Sequence, residues 1–265
     1  MLPIVLHHGI FGCDRMRIGP LEFSYFGGGI EHEIASRGHP LIVARVSKTA
    51  SIAHRAAELK QTLLERLAGS DDRVVILAHS MGGLDARYMI DKLDMSCRVA
   101  AMITLSTPHR GSSYADWVLK NIDKSRQAQN FLKFVKLDLA GLRDLTTEAV
   151  ARFNDTVLDH PEVRYFSVSA ARPWHRVPAF LVHSHRIVSR EEGENDGVVS
   201  VKSAAWGTHL ETWPADHMHM INRRYVIEIR SPTGNVRNRY AGLLDQLAAR
   251  GIVAPRSASA LPTMG

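Results

Sequence analysis

Val74-Val75-Ile76-Leu77-Ala78-His79-Ser80-Met81-Gly82-Gly83-Leu84 is the stretch that decides the fold. It opens as a short apolar run rich in Val and Ile, the signature of a strand buried on both faces. After Gly83 the apolar spacing becomes helical, over residues 84–93. A buried strand that enters a helix through small-x-Ser-x-Gly is the setting of a nucleophile elbow, a sharp turn that lifts the serine hydroxyl out of the sheet top. The turn needs small residues two positions either side of the serine. Here they are Ala78, where glycine is usual, and Gly82. Over these residues alone an ordinary strand-to-helix turn reads the same way, so Ser80 as nucleophile depends on its partners.

Outward from this stretch, residues 4–7, 41–46, 100–105, 163–168 and 210–213 also read as short buried strands. Residues 52–67 carry helical spacing, with Ser51 as candidate N-cap and a stop at Gly69-Ser70, and residues 237–250 form a further helix ending at Gly251. Strands alternating with helices imply an α/β fold, a mostly parallel sheet covered on both faces. A chain of 265 residues suits one such domain. Residues 112–155 interrupt the alternation and read as a helical insertion over the sheet edge, either plain packing helix or a cap or lid. The tail 255–265 reads as disordered.

The partners follow in the order that acyl chemistry requires. A tetrahedral intermediate needs N–H donors aimed at its oxygen. One is the amide after the nucleophile, Met81. The first strand ends in His8-Gly9-Ile10-Phe11-Gly12, whose glycines permit a tight turn aiming the Ile10 N–H inwards. Serine also needs a neutral imidazole, held by a carboxylate. The C-terminal third supplies Asn195-Asp196-Gly197 in a turn signal and later Asp216-His217-Met218-His219. His217 and His219 compete as base. Asp196 is the preferred orienter and Glu194 the runner-up, since Asp216 is too close in sequence to hold the ring of its neighbour.

With these residues in place, the chain from Pro3 to about Asn222 resembles the triacylglycerol lipases of the α/β-hydrolase superfamily. The matching stretches are Pro3 to Gly12, Ala78 to Leu84, Thr107-Pro108-His109-Arg110-Gly111-Ser112, Asn195 to Val199, and His217 with Ile221-Asn222. The resemblance implies the α/β-hydrolase fold. It implies Ser80, Asp196 and His217 as catalytic triad, Ile10 and Met81 as backbone oxyanion donors, and residues 112–155 as cap or lid. It also favours His217 over His219, because the family's catalytic histidine begins His-x-x-x-Val/Ile-Asn. Secreted bacterial members carry a calcium-binding Asp two residues after that histidine. His219 stands there in this chain and is a poor ligand for a hard cation, so no calcium is expected at that place.

The remaining features exclude more than they assign. The 14 histidines include His183-x-His185 and His217-x-His219, each able to put two imidazoles on one face of a strand. No HExxH or cysteine cluster accompanies them, so no metal and no cofactor is expected. Cys13 and Cys97 do not form a disulfide framework and read as free thiols, with a single bridge between them as the alternative. The net charge of +6 favours anionic surfaces, and a lipid interface is a possible transient contact. Lys and Arg are dispersed, so no nucleic-acid partner is expected, and Arg223, Arg224, Arg230, Arg237 and Arg239 read as a solvated face. No apolar run is long enough for a transmembrane segment. The opening Met1-Leu2-Pro3 shows no signal-peptide pattern, which points to the cytoplasm, though a trimmed secreted chain would look the same. The expected activity is hydrolysis of an ester or lipid through an acyl-enzyme. The alternatives are thioester hydrolysis or acyl transfer on the same triad, and a non-catalytic binding protein on the same scaffold.

Overall fold

The computed structural model describes residues 1–10, 12, 15–18, 21–27, 29–122, 124, 139–222 and 236–255. Strand β1 (Ile4–His7) lies parallel to β5 (Val74–His79), with Ile4 opposite Val75 and His7 opposite Ala78. On the far side of β1 runs β4 (Leu41–Val43), also parallel. Beyond β5 follow β6 (Val99–Leu105), β7 (Arg164–Ala170) and β8 (Thr208–Trp213), giving the order β4-β1-β5-β6-β7-β8 with every pair parallel. From β1 the chain moves outward one way, and from β5 it moves outward the other way. The loops leaving β1 and β5 therefore part at the carboxyl end of adjacent strands, where open α/β sheets place their sites.

Period-two alternation explains why the strands read as unbroken apolar runs. Ile4, Leu6, Val75, Leu77 and Ile103 face one layer, made by α1 (Ile30–Ala35) and α9 (Val236–Ala249) through Ile30, Ile34, Tyr240, Leu243 and Leu244. Val5, Ile76, Ala78 and Met102 face the other, made by α2 (Ile52–Arg66) and α3 (Gly82–Lys92) through Leu59, Leu63 and Met89. Each Val, Leu, Ile or Met side chain among them, fully buried, contributes on the order of 2 kcal/mol. Ser51 caps α2 by accepting the His54 N–H, as its sequence position predicts.

Between β6 and β7 the described chain is helical: α4 (Ser113–Asn121), α5 (Leu139–Asp144) and α6 (Thr147–Thr156). Residues 123 and 125–138 of the anticipated insertion lie outside the described residues, as do Phe11, Cys13, Arg223, Arg224, Arg230 and 256–265. Cys97 is an exposed free thiol. Tyr114, Ala115 and Val118 of α4, with Leu142, Leu145 and Val150, pack onto Met81 and Leu84 at the start of α3. This third apolar cluster sits over the end of the sheet that carries Ser80. After β7 come α7 (Val182–Glu191) and the short α8 (Val201–Ala204), and Ile187 and Val188 of α7 join the same cluster. A hairpin of β2 (Arg15–Ile18) and β3 (Leu21–Ser24) precedes α1 and was not anticipated from the sequence.

One sequence expectation fails here. His183 and His185 lie on helix α7, not on a strand, and positions two apart on a helix point to different sides. His183 packs edge-on against Trp117 at 4.6 Å, while the buried His185 donates to the Arg172 carbonyl at 2.7 Å. His217 and His219 are not strand residues either: His217 precedes, and His219 begins, a single 3-10 turn over His219–Ile221. Among the described residues no group of three or more His, Cys, Asp or Glu is arranged to hold a metal ion. Among them, too, no helix is long and apolar enough to cross a membrane.

Candidate active site

Ser80 sits between β5 and α3 with φ of 56°, in the left-handed region that costs a non-glycine residue about 1 kcal/mol or more. The sharpness of this turn explains its small neighbours. A Cβ on Gly82 would stand 2.9 Å from the His7 ring and from the His8 carbonyl, and one on Gly83 only 2.2 Å from Thr107 Oγ1. Ala78 is tolerated because its methyl points into the apolar layer beneath. Thr107 opens the Thr-Pro-His-Arg-Gly-Ser stretch, and its hydroxyl donates to the Ser80 carbonyl at 2.7 Å. Ser112 closes that stretch, donating to the Val198 carbonyl at 2.7 Å while its oxygen caps α4. The motif thus pins the elbow at one end and the loop of Asp196 at the other, a role the sequence did not disclose.

His217, in the turn after β8, places Nε2 3.0 Å from Ser80 Oγ and Nδ1 2.7 Å from Asp196 Oδ2. The other Asp196 oxygen accepts the Val198 and Val199 N–H groups at 3.0 and 2.8 Å. Asp196 is fully buried, and Ser80 and His217 are 6% and 7% exposed, so the three groups meet in a place largely shielded from water. The structure brings together Ser80, Asp196 and His217. It leaves Glu194 exposed and away from them. It also turns His219 elsewhere: its Nδ1 meets Asp216 Oδ2, which Arg172 reaches at 2.5 Å. Asp216 Oδ1 accepts the Met218 and His219 N–H groups at 3.0 and 3.1 Å, so this carboxylate shapes the loop of His217 without touching its ring. Burial alone would raise the Asp216 pKa, but the His219 hydrogen bond and the His219 and Arg172 charges hold it below the usual carboxylate range.

The turn after β1 closes with Gly12 N–H donating to the Gly9 carbonyl at 3.1 Å. It presses on Ser80: a Cβ on Gly9 would lie 2.6 Å from Ser80 Cβ. The Ile10 and Met81 side chains enter the same apolar cluster. Behind the turn lies a buried ionic group. Arg55 donates to Asp85 at 2.8 Å, to the His8 carbonyl at 2.7 Å and to the Ser47 carbonyl at 2.5 Å, and His7 Nε2 donates to Asp85 at 3.0 Å. A buried guanidinium that binds a carboxylate and two carbonyls is well compensated, and it fixes the peptide leading into Gly9. Burial lowers the pKa of His7 and pushes that of His8 down to about 3, so both rings are neutral.

A mostly parallel sheet with a strained serine at the elbow, facing a carboxylate-held imidazole, defines the α/β-hydrolases. Comparison with known proteins gives the particular family. Residues 23–167 match the model of the PGAP1-like alpha/beta domain. The chain is 31% identical over 261 residues to triacylglycerol lipase 2 of Saccharomyces cerevisiae, covering 90% of this chain and 77% of that protein. It is 30% identical over 173 residues to a triacylglycerol lipase of Pseudarthrobacter phenanthrenivorans, covering 57% of this chain and about half, 52%, of that one. The mature lipase BlEst2 of Bacillus licheniformis superposes with a TM-score of 0.73 at 20% identity, covering 95% of this chain and 92% of that one. The chain belongs to this lipase and esterase family of the α/β-hydrolase superfamily, and it is a carboxylic-ester hydrolase.

Proposed function

We propose that the chain hydrolyses fatty-acyl esters, acylglycerols among them, through an acyl-enzyme on Ser80. The observation that carries this reading is the 3.0 Å contact between Ser80 Oγ and His217 Nε2 at a serine held with φ of 56°. Ser80 Oγ attacks the ester carbonyl carbon as its proton passes to His217 Nε2. Asp196 stabilises the imidazolium, and the Ile10 and Met81 N–H groups receive the oxyanion. The intermediate collapses, the imidazolium returns the proton to the leaving alcohol, and water then releases the acid by the same route. Helices α4 to α6 cap the nucleophile end and line the acyl side, a reading supported by their packing on Met81 and Leu84.

Contact with a lipid surface is part of the same proposal. Its support is the segment between β7 and α7, where Trp174 is 51% and Phe180 45% exposed. Exposed His175, Arg176 and Arg186 surround them, and the Arg186 guanidinium lies 5.0 Å from the Trp174 ring centre. Aromatic rings beside cationic groups suit the boundary of an anionic lipid surface. The test is an acyl-chain-length series measured below and above each ester's solubility limit, with Ser80→Ala as blank. A rate that jumps above the limit supports a lipase. Preference for short soluble esters on both sides of the limit refutes the lipid substrate, and turnover retained in the blank refutes the nucleophile.

A further inference from the structure

Tyr25, His79 and the backbone of His217 form a chain of hydrogen bonds that the chemistry above does not use. The Gly9 N–H donates to the Tyr25 hydroxyl at 3.4 Å. That hydroxyl lies 2.9 Å from His79 Nδ1, and His79 Nε2 lies 3.1 Å from the His217 carbonyl oxygen. Both side chains are buried. The direction of every bond is forced. A carbonyl oxygen only accepts, so His79 Nε2 carries the hydrogen. A neutral imidazole has a single N–H, so Nδ1 is the acceptor and Tyr25 O–H donates to it. The Tyr25 oxygen is then left to accept from Gly9. Burial keeps the His79 pKa well below 6.5, so the ring holds this one tautomer at neutral pH. The His79 and His217 rings also pack at 4.6 Å.

We infer that Tyr25 and His79 are positioning residues, a strut that sets the oxyanion turn, the nucleophile and the base at fixed spacing. The inference rests on the assignment of Ser80 and His217 made above. The strut meets each part of the machinery at its backbone. Gly9 begins the turn that carries the Ile10 N–H, His79 is bonded directly to Ser80, and the third contact is the carbonyl of His217 itself. These pieces leave β1, β5 and β8 on separate loops, and no covalent path shorter than 137 residues joins Ser80 to His217. Catalytic geometry must hold within roughly 0.5 Å. Asp196 and Asp216 hold the His217 loop, and this chain adds a directional tie from it to the residue before Ser80 and to the turn at Gly9.

The test uses Tyr25→Phe, His79→Leu, His79→Gln and the double variant Tyr25→Phe/His79→Leu, each titrated with a fluorophosphonate so that rates refer to intact sites. A soluble ester gives kcat and KM, and an alkyl boronic acid, a tetrahedral mimic, gives an inhibition constant. For Tyr25→Phe the expected result is a kcat about tenfold lower, the worth of one buried neutral hydrogen bond, with KM within about twofold. Boronic acid affinity falls by about the same factor. In the His79→Leu background Tyr25→Phe costs less than about twofold more, because the chain is already cut. His79→Gln, whose amide N–H can still reach the His217 carbonyl, lies closer to the wild type than His79→Leu. If His79→Leu does not fold, Tyr25→Phe and His79→Gln carry the test alone. Unchanged kcat in Tyr25→Phe, costs that add in the double variant, or a loss confined to KM overturns the strut. Failure of the wild type to label overturns the nucleophile assignment, and the strut falls with it.

Discussion

Asp196 holds His217 at two points: its carboxylate meets the ring Nδ1 at 2.7 Å, and its backbone carbonyl accepts the His217 N–H at 2.9 Å. Side chain and main chain of His217 are thus referenced to one residue.

The same residue offers a sharp test. Asp196 Oδ1 already accepts two backbone N–H groups. In Asp196→Asn those donors keep the amide oxygen on their side, and the NH2 group must face His217 Nδ1. The ring is forced into the tautomer that carries its hydrogen on Nε2, which cannot take a proton from Ser80. We expect kcat to fall by about 10³–10⁴ with KM within a few fold, measured on a soluble ester by steady-state kinetics. A loss under tenfold would contradict the role of Asp196.

Ser80→Gly should separate activity from stability. It removes the proposed nucleophile and also the cost of a side chain at φ of 56°. Activity is expected to vanish while the urea midpoint rises by an amount worth about 1 kcal/mol. Ser80→Ala should be equally inactive without that gain, because alanine keeps the Cβ.

Acid should unfold the protein early. His7, His8, His79 and His109 are all buried with lowered pKa values, His8 at about 3. In the unfolded chain each takes up a proton near pH 6.5. Below that pH the unfolded state binds more protons than the native state, so stability falls as pH falls, down to the folded pKa values. Each such histidine costs on the order of 1 kcal/mol per pH unit in that window. Tm should drop by about 10 °C or more between pH 7.5 and pH 5, read by scanning calorimetry. A flat Tm would show that these rings are not buried neutral.

The cluster of Arg172, Asp216 and His219 should make the His217 loop independent of added cations. A guanidinium already faces the Asp216 carboxylate at 2.5 Å. Activity is expected to stay within about twofold after exhaustive chelation, measured on a soluble ester. Arg172→Leu leaves the Asp216 carboxylate buried without its guanidinium, so a loss of about 3–5 kcal/mol in urea unfolding is expected. Activity that collapses on chelation and returns with calcium would overturn this.

Much of the fold was legible because parallel strands buried on both faces leave a signal that needs no partner. Residues 74–78 and 100–105 are of this kind, and the observed β5 and β6 differ from them by one residue at one end. That Asp196 and His217 would meet Ser80 was legible for another reason: chain order and residue type constrain acyl chemistry tightly. What stayed hidden depends on which loops meet in space. Tyr25 and His79 are 54 residues apart, and nothing local to either marks the pairing. Arg55 lies within an ordinary helical pattern, and only the fold reveals that it binds the His8 carbonyl. The misreading at His183 and His185 has a local cause. A two-residue spacing fits a strand face, but buried Ser184, Ile187 and Val188 follow the three- and four-residue spacing of a helix.

The order of the sheet also has a consequence in time. Strand β8 is the edge strand beyond β7, and it delivers His217. While a ribosome is still releasing the chain, Ser80 emerges 137 residues ahead of His217. On the roles proposed above, hydrolysis therefore waits until β8 has docked, and a half-made molecule has Ser80 without its partner.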